Sequence, residues 1–504
     1  MSQPPPPVVE EKGLKAESLG LLAVIAIGLA TVAPAYSMTS SLGPTALEVG
    51  TQVPAMLLLG FVPMFLVAMA YKELNDAMPD SGSNFTWCST AFGPWVGWMG
   101  GWGFIAANVI VLSSLAGVAV DFLYAFLGTI TGSEQIAALT NVTWVNIATC
   151  LVIITLCTYP CLRGIETTAW VQYVLMTFQI GVLLVYAAMA AYRAWQAGLP
   201  HGGPSLAWLN PMSVPSASAI AAGVSLTIFL FWGWDVCLTL SEETRGGTRT
   251  AGLGGTASAV LGLVLYLVLA FSTIMFAGVD DGATGLSNPD NADNAFLHLA
   301  EPVMGPWSFL LVLAIFSAST SSLQATMSGP SRALFAMSHY GAMPPFLQKV
   351  NLSRGTPTAG IITSAVVSGS FYIVMRLAST SMLNDTIATL GMMVCFYYAL
   401  TAFACVWYFR NKARGLAQVM LRLVMPATGG LCLAVVFLKV SYDAMDPAFG
   451  SGSQIGGVGL VFIIGIGILL LGLVLLLVTR FMDPTFFRDG LVWKGIDVGE
   501  ELLG

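Results

Sequence analysis

The chain of 504 residues is 56% hydrophobic and only 9% charged, with a formal net charge of −7. Soluble domains carry about a quarter charged residues, so this composition excludes an ordinary soluble enzyme or nucleic-acid-binding protein. A membrane-spanning helix needs about 20 mostly apolar residues, and about twelve such helices with short connections use nearly the whole length. The sequence therefore predicts an all-α membrane protein without a separate catalytic domain.

Twelve hydrophobic segments are predicted as membrane-spanning helices. Their approximate bounds are 19–42, 52–72, 95–126, 142–162, 167–192, 216–241, 251–278, 305–337, 357–377, 386–409, 418–440 and 456–480. Lys and Arg are retained on the cytoplasmic side, and with the N-terminus inside only Arg193, Arg376 and Lys439 fall outside. Both termini are therefore predicted to be cytoplasmic. The polar segment 1–17 is predicted to be a disordered tail rather than a signal peptide.

Cysteine and histidine positions give no sign of a disulfide framework, a metal site or a cofactor. The eight cysteines fall in hydrophobic segments or in a loop predicted to be cytoplasmic, where disulfides are rare. The three histidines, His201, His298 and His339, are scattered along the chain. We therefore predict neither a bound metal nor a cofactor.

Two of the predicted spans are interrupted in their middle. The first carries a glycine, small residues and Pro34 within Gly28–Ser37, and proline removes one backbone donor and frees an earlier carbonyl. The sixth carries Gly233 and Asp235 within Phe231–Asp235. A carboxylate at membrane depth costs several kcal/mol unless it is paired or hydrated, so Asp235 is a candidate functional residue. A hydrogen bond between helices is its structural alternative.

The positions of these interruptions predict an internal repeat. Breaks in spans 1 and 6 place five helices in each half, which is the pattern of inverted repeats that build a solute site where two broken helices meet. The predicted organisation is a first five-helix repeat over 18–192, a second over 216–409, helices 11 and 12 over 418–480, and a cytoplasmic segment over 481–504.

Several motifs together resemble the amino acid–polyamine–organocation superfamily of permeases over about residues 18–480. The sharpest is SGPSRALFAMSHYGAMPPFLQKVNLSRGTPTAG, from Ser328 to Gly360; AYKELNDAMPDSGSNFTW, GPWVGWMGGW and GWD…SEE add to it. The resemblance implies a LeuT-type fold of five plus five inverted helices with two more at the C-terminal end. It also implies a non-enzymatic secondary transporter that moves an amino acid or a related small amine across the cytoplasmic membrane by alternating access.

Carried over residue by residue, the resemblance implies a solute-binding site. Its candidate residues are Ala33, Ala35, Tyr36, Ser37, Asn108, Phe229, Phe231, Trp232, Trp234 and Asp235. Backbone N–H groups after the first break would bind a carboxylate, although Ala-Pro-Ala stands where relatives have a glycine-rich run. Carbonyls freed near Phe231–Trp234 would accept an ammonium, with Asp235 close by, and Phe229 would close over the solute. Asn108 would line the pocket or join two helices.

The coupling ion stays open at this point. Proton-coupled relatives can carry a lysine in the fifth helix, and the resemblance places Gln179 at that position, where it cannot titrate. Ser319 and Thr320 lie near the positions that hold sodium in sodium-coupled relatives. Asp121 and Asp235 are the candidates for proton binding, and exchange without an ion is equally open.

The solute class also stays open between a free amino acid and a polyamine or other organic cation. The family pattern favours an amino acid. The cation is favoured by Asp121, Asp235 and an acidic loop predicted outside, which contains Asp280, Asp281, Asp290, Asp293 and Glu301. A solute sensor that does not transport remains a third alternative. A channel would need a continuous polar pore or a repeated filter motif, and the sequence has neither.

Overall fold

The computed structural model describes residues 13–288, 291, 294–351, 353–378, 382–449 and 452–491. Helices form nearly all the elements in these residues, as the composition predicts. The predicted tail 1–17 is described only from residue 13 and the predicted segment 481–504 only to residue 491. Asp290 and Asp293 of the acidic loop lie outside the described residues.

The first predicted half of the chain forms eight α-helices in its described residues. Their bounds are α1 Leu21–Val32, α2 Pro34–Val49, α3 Val53–Ala77, α4 Asn84–Phe92, α5 Pro94–Thr131, α6 Glu134–Ala137, α7 Thr143–Arg163 and α8 Ile165–Gln196. Gly93, with φ 90°, precedes the proline that begins α5, and Gly164, with φ 129°, separates α7 from α8. Proline suits a first helical position because its missing N–H would be unpaired there anyway.

The second predicted half forms another series of helices. Their bounds are α9 Ala217–Leu230, α10 Val236–Thr239, α11 Gly247–Ala277, α12 Ala295–Met304, α13 Ser308–Thr326, α14 Ser328–His339, α15 Thr358–Ala378 and α16 Met382–Phe409. The predicted span 305–337 corresponds to two consecutive helices, α13 and α14, which meet at Met327 within one continuous apolar stretch, Ala295–His339. Pro330 explains the division, since it has no N–H to donate to the carbonyl four residues earlier.

The C-terminal part contains short elements that the sequence did not predict. Its helices are α17 Gly415–Val419, a π-helical turn Met420–Val424, α18 Met425–Asp443, α19 Leu460–Met482 and α20 Thr485–Asp489. A small antiparallel hairpin, β1 Gln454–Ile455 and β2 Val458–Gly459, precedes α19. The predicted last span, 456–480, therefore begins four residues too early.

Ten helical stretches among the described residues are long and apolar enough to cross a membrane. One of them, Leu21–Ala77, has 57 residues and contains α1, α2 and α3; at 1.5 Å per residue it is nearly three times the ~30 Å of a bilayer core. The shorter apolar helix α9 is additional to the ten. The count of twelve crossings and the inverted repeat stay predictions.

Helix α5 lies at the centre of the bundle and packs against α4, α13 and α16. Helix α1 packs against α8, α11 and α13, and α9 packs against α2 and α3. Helices α18 and α19 both pack on the outside of α16. This arrangement surrounds the two helix breaks with α5, α11, α13 and α16, so that the broken segments are buried in protein rather than exposed to lipid.

Candidate functional site

The break in the first span is a single residue wide. Ala33 adopts the left-handed conformation, with φ 51° and ψ 61°, and Pro34 begins α2 directly after it. The prediction that all of Gly28–Ser37 is non-helical is therefore wrong, because Pro34 ends one helix and starts the next. The Ser37 N–H donates to the Ala33 carbonyl at 2.9 Å and is not free for a solute. The N–H groups of Ala35 and Tyr36 lie in the first turn of α2, where no intrahelical acceptor exists.

The break in the sixth span is wider and matches its predicted bounds. Helix α9 ends at Leu230 and α10 begins at Val236, so that Phe231–Asp235 is non-helical. Gly233 has φ 105°, a conformation that side chains rarely adopt. The Thr31 hydroxyl donates to the Gly233 carbonyl at 2.8 Å. The two breaks therefore touch each other, which confirms the prediction that they meet.

Tyr266 on α11 bridges the ends of the two interrupted helices. Its hydroxyl lies 2.8 Å from the Leu230 carbonyl and 3.2 Å from the Val32 carbonyl, the last residues of α9 and α1. The Ser37 hydroxyl donates to the same Val32 carbonyl at 2.9 Å. Carbonyls released by the breaks are thus partly satisfied by side chains, as buried backbone requires.

A small cavity lies where the two breaks meet. Its volume is about 10 Å³, which is room for about one water molecule. It is lined by Thr31, Val32, Ala33, Tyr36, Ser37, Val111, Leu115, Phe229, Trp232 and Ser322. Charged side chains are absent from this described lining, which consists of apolar surface, hydroxyl groups and backbone.

Five of the ten predicted site residues line this cavity: Ala33, Tyr36, Ser37, Phe229 and Trp232. Sequence reasoning missed Val111 and Leu115 on α5 although it chose that helix through Asn108. Positions three and seven residues after Asn108 lie on one helical face, so that the error is about one turn along a correctly chosen helix. Ser319, the hydroxyl residue predicted on α13, likewise lies one helical turn before Ser322, which lines the cavity.

The other predicted site residues lie away from the cavity wall. Asn108 donates to the Phe104 carbonyl of its own helix at 2.8 Å. A Cβ at Gly329 of α14 would meet the Asn108 Oδ1 at 3.3 Å, so that Asn108 faces a helix contact. The ring of Phe231 packs against Phe61 and Tyr266. Ala35 is buried within α2.

Asp235 is buried behind the cavity wall, with Tyr397 between it and the lining residue Trp232. Its Oδ2 accepts a hydrogen bond from the Tyr397 hydroxyl at 3.1 Å, and that hydroxyl accepts from the Trp232 Nε1 at 2.5 Å. The Tyr398 hydroxyl also lies beside the Asp235 carboxylate and interacts with it. Trp234 packs against Tyr398 on the far side from the cavity. In the described part of the chain, hydrogen bonds thus connect Asp235 to the cavity through Tyr397 and Trp232.

A family model described as amino acid permease matches residues 19–478. The chain belongs to this family. A low-affinity putrescine importer of Escherichia coli is 23% identical over 444 residues, covering 85% of this chain and 90% of the importer. A polyamine transporter of rice is 25% identical over 453 residues, covering 88% of this chain and 76% of that protein. A branched-chain amino acid permease of Lactococcus lactis is 24% identical, covering 69% and 74% of the two chains.

The family and the apolar helices establish a multi-pass membrane permease. The superfamily resemblance seen in the sequence is confirmed. The permease fold accounts for the two broken helices, because irregular backbone at membrane depth is tolerated where it lines a cavity.

The predicted coupling residues of the permease are spread over several places. The Ser319 hydroxyl bonds within its own helix to the Ile315 carbonyl at 3.0 Å. Thr320 bonds within α13 to the Phe316 carbonyl, and its own carbonyl accepts from Cys157 of α7. Another α13 hydroxyl, that of Ser322, lies 3.5 Å from the Thr31 carbonyl beside the first break.

The remaining coupling candidates, Gln179 and Asp121, lie in different surroundings. Gln179 is buried in α8, where its Nε2 contacts the Met176 sulfur at 3.1 Å and its Oε1 has no partner among the described side chains. Asp121 lies at the surface of the bundle, and its Oδ1 accepts from the Thr140 hydroxyl at 2.5 Å. Among these acids, only Asp235 is connected to the cavity by hydrogen bonds in the described part of the chain.

A buried ion pair lies beyond the second break. Arg332 of α14 contacts the Glu243 carboxylate at 2.5 Å, with both side chains almost completely buried. The backbone N–H groups of Ser18 and Leu19 donate to the Glu243 carbonyl at 2.8 and 3.0 Å, and Arg245 returns a bond to the Leu19 carbonyl. The chain before α1 is thereby fixed beneath the second break.

An open crevice of about 430 Å³ lies between α2, α9, α16 and α18. Its wall includes Glu48, Lys439 and Asp443, and Lys439 contacts Asp443 at 2.5 Å. Phe229 lines both the crevice and the small cavity. Its ring meets the Tyr36 ring edge to face at 6.2 Å between centroids, and of these two rings Phe229 is the one that borders both spaces.

Proposed function

We propose that this permease carries an amino acid with an uncharged side chain by alternating access and catalyses no reaction. The observation that carries the proposal is the meeting of two helix ends of opposite polarity at one cavity. The N-terminus of α2 bears a partial positive charge and the C-terminus of α9 a partial negative charge. An amino acid offers a carboxylate to the first and an ammonium to the second.

The cavity lining supports an uncharged side chain. Val111, Leu115 and Trp232 supply apolar wall, and hydroxyl groups supply the polar part. A second cationic group on the solute would meet no carboxylate in that lining, and an unpaired buried charge is costly. The branched-chain relative is consistent with this class of solute.

A diamine is the second candidate. Asp235 is linked through Tyr397 to the cavity-lining Trp232, and relatives named as a putrescine importer and a polyamine transporter align with most of the chain. Movement of Trp232 would bring a diamine toward that carboxylate. A diamine would leave the N-terminus of α2 without an anionic partner, which is why we rank it second.

A thermal-shift screen of the purified protein tests the solute class directly. Neutral amino acids, cationic amino acids, putrescine and spermidine are compared with and without sodium. Stabilisation by neutral amino acids supports the proposal, whereas stabilisation by diamines alone overturns it in favour of the second candidate. Uptake into proteoliposomes then separates a transporter from a sensor, which would bind the same solute without flux.

We also propose that the two ends of the bundle are alternate gates in the cytoplasmic membrane. The Lys and Arg distribution supports a cytoplasmic position for the Arg332–Glu243 end and for both termini, which would make the 430 Å³ crevice the outer vestibule. Solute would pass Phe229 from the crevice and leave after the buried ion pair opens. Glu243→Gln should weaken the ion pair with Arg332 that holds the inner gate. A cysteine introduced near Leu19 should then react faster with a thiol reagent that is added from the cytoplasmic side.

For coupling, a proton on Asp235 is our first proposal, because a buried carboxylate joined to the cavity can respond to solute. Neutral Gln179 cannot replace a titrating lysine. A sodium ion held by Ser319, Thr320 and carbonyls near the first break is the alternative.

Uptake into proteoliposomes tests these alternatives. A pH gradient that accelerates uptake, and loses this effect in Asp235→Asn, supports proton binding by Asp235. Acceleration by a sodium gradient that Ser319→Ala and Thr320→Ala abolish supports the ion, and a requirement for internal amine identifies an exchanger.

A further inference from the structure

Trp232 lines the cavity and is linked by hydrogen bonds to the buried carboxylate of Asp235. Its indole N–H donates to the Tyr397 hydroxyl at 2.5 Å, and that hydroxyl donates to the Asp235 carboxylate at 3.1 Å. Tyr397 and Asp235 are almost completely buried. Three side chains therefore form a chain of hydrogen bonds that runs from the cavity wall into the protein.

This chain fixes the position of the indole ring. An indole that rotated away would leave its own N–H unpaired and would remove one of the two hydrogen bonds of the Tyr397 hydroxyl in a dry environment, which is unfavourable. The Tyr397 ring is itself held edge to face by Phe104 at 5.7 Å and by Tyr398 at 4.6 Å. Trp232 thus differs from a flexible side chain that moves aside when a larger solute enters.

We propose that Trp232 sets the upper size of the solute side chain, with Tyr397 and Asp235 as the positioning residues that hold it in place. The inference rests on the proposed function, since it assumes an amino acid in the cavity. Because the indole is held in place in the cavity wall that it shares with Val111 and Leu115, the preferred solutes are amino acids with short side chains, such as glycine, alanine and serine. Longer side chains require the indole to leave its position.

Trp234 provides a matched control two residues later in the same non-helical segment. It is equally buried, and its ring packs against Tyr71 at 5.2 Å and Tyr398 at 5.4 Å. It does not line the cavity, and its Nε1 has no partner among the described side chains. The same substitution at the two positions therefore separates a size limit from a general effect of removing a tryptophan.

The test measures which amino acids compete with labelled alanine for uptake into proteoliposomes. The competitors are glycine, alanine, valine, leucine and phenylalanine, and the variants are Trp232→Leu, Trp234→Leu and Tyr397→Phe. Trp232→Leu should increase the potency of leucine relative to alanine at least tenfold, as expected when a close-fitting apolar wall is removed. Tyr397→Phe should increase the same ratio by a smaller factor. Trp234→Leu should leave the ranking unchanged.

A positioning role predicts a specific dependence between the variants. Loss of the Tyr397 hydroxyl should change the leucine-to-alanine ratio in the wild-type background and add nothing once Trp232→Leu is present. A merely structural role would lower uptake of all solutes equally in both backgrounds. An unchanged ranking in Trp232→Leu, or an equal change in Trp234→Leu, would overturn the inference.

Two further measurements make every outcome decisive. If Trp232→Leu does not fold, Trp232→Phe keeps an aromatic ring but removes the N–H, and it should still raise the leucine-to-alanine ratio; no rise refutes the inference. Thermal shifts with the same amino acids give a ranking without flux. If wild-type protein responds to diamines and to no amino acid, the proposed function fails and the inference with it. If wild type responds to amino acids but the order of their potencies is the same in the Trp232 variants, only the inference fails.

Discussion

The two helix breaks that meet at the cavity are built differently. Between α1 and α2 only Ala33 lies outside a helix, whereas between α9 and α10 the five residues Phe231–Asp235 do so. The first break changes the chain direction with hardly any loss of helix. The second exposes more backbone and carries the buried carboxylate.

The difference follows from which residue comes after each interruption. Pro34 is a favoured first residue of a helix, so that α2 begins as soon as α1 has ended. The second segment has no such start signal, and Gly233 adopts a conformation that continues neither helix. A proline and a glycine both interrupt a helix in the sequence, but they produce breaks of different width.

Gly233→Ala should have the largest effect on this comparison. A Cβ at this position would lie 2.8 Å from the Thr31 carbonyl oxygen, and the φ of 105° is strained for any side chain. We expect a loss of stability on the order of 3 kcal/mol, together with loss of solute binding. The measurement is the thermal midpoint of the purified protein. Gly181→Ala in α8 is the control, because its Cβ would meet nothing within 4 Å.

Asp235→Asn tests the buried carboxylate, which the wider break has and the narrow one lacks. The amide oxygen can still accept from Tyr397, so that expression and membrane insertion should be kept. Uptake should fall at least tenfold, equivalent to about 1.4 kcal/mol, because the variant cannot bind a proton or carry a charge. The leucine-to-alanine ratio should be retained, since the bond that positions Trp232 remains. Asp121→Asn is the control, and unchanged uptake across pH in Asp235→Asn would refute the assignment.

The location of both breaks could be predicted from the sequence. The number of non-helical residues in each break, and which side chains line the cavity, could not. Periodicity identifies which helices contribute to a site, because apolar stretches and proline or glycine are local signals. It does not specify the rotation of one helix against another. Asn108 was therefore chosen where Val111 and Leu115 line the cavity, and Ser319 where Ser322 does.

Contacts between distant residues were beyond sequence reasoning for the same reason. Asp235 was recognised as a buried carboxylate, yet its bond to Tyr397 depends on how α16 packs beside the second break. Tyr266 also carried no signal, although its hydroxyl reaches both interrupted helices. Such contacts join residues more than 30 positions apart, so that only the packed structure reveals them.

Tyr266→Phe should have a moderate effect on both breaks at once. Removing the hydroxyl takes a hydrogen bond away from the Leu230 carbonyl and another from the Val32 carbonyl. We expect a loss of stability of about 1 kcal/mol and a lower solute affinity, measured by thermal shift with and without solute. Tyr186→Phe is the control, because that buried hydroxyl bonds to Thr273 instead of a helix end. Equal solute affinities in the two variants would show that Tyr266 does not support the breaks.

Ala33→Gly should have the smallest effect and the opposite sign. Ala33 adopts a left-handed conformation that costs an alanine about 1 kcal/mol or more, and glycine avoids this cost. Glycine also gives the unfolded chain more freedom, which costs roughly 0.5–1 kcal/mol, so that the net gain should be about 0.5 kcal/mol or less. Ala30→Gly, within α1, makes the same chemical change in a regular helix and should lose about 1 kcal/mol. Thermal midpoints of the two variants in one detergent measure the difference. If both variants lose stability equally, the left-handed residue is not the feature that makes the first break so narrow.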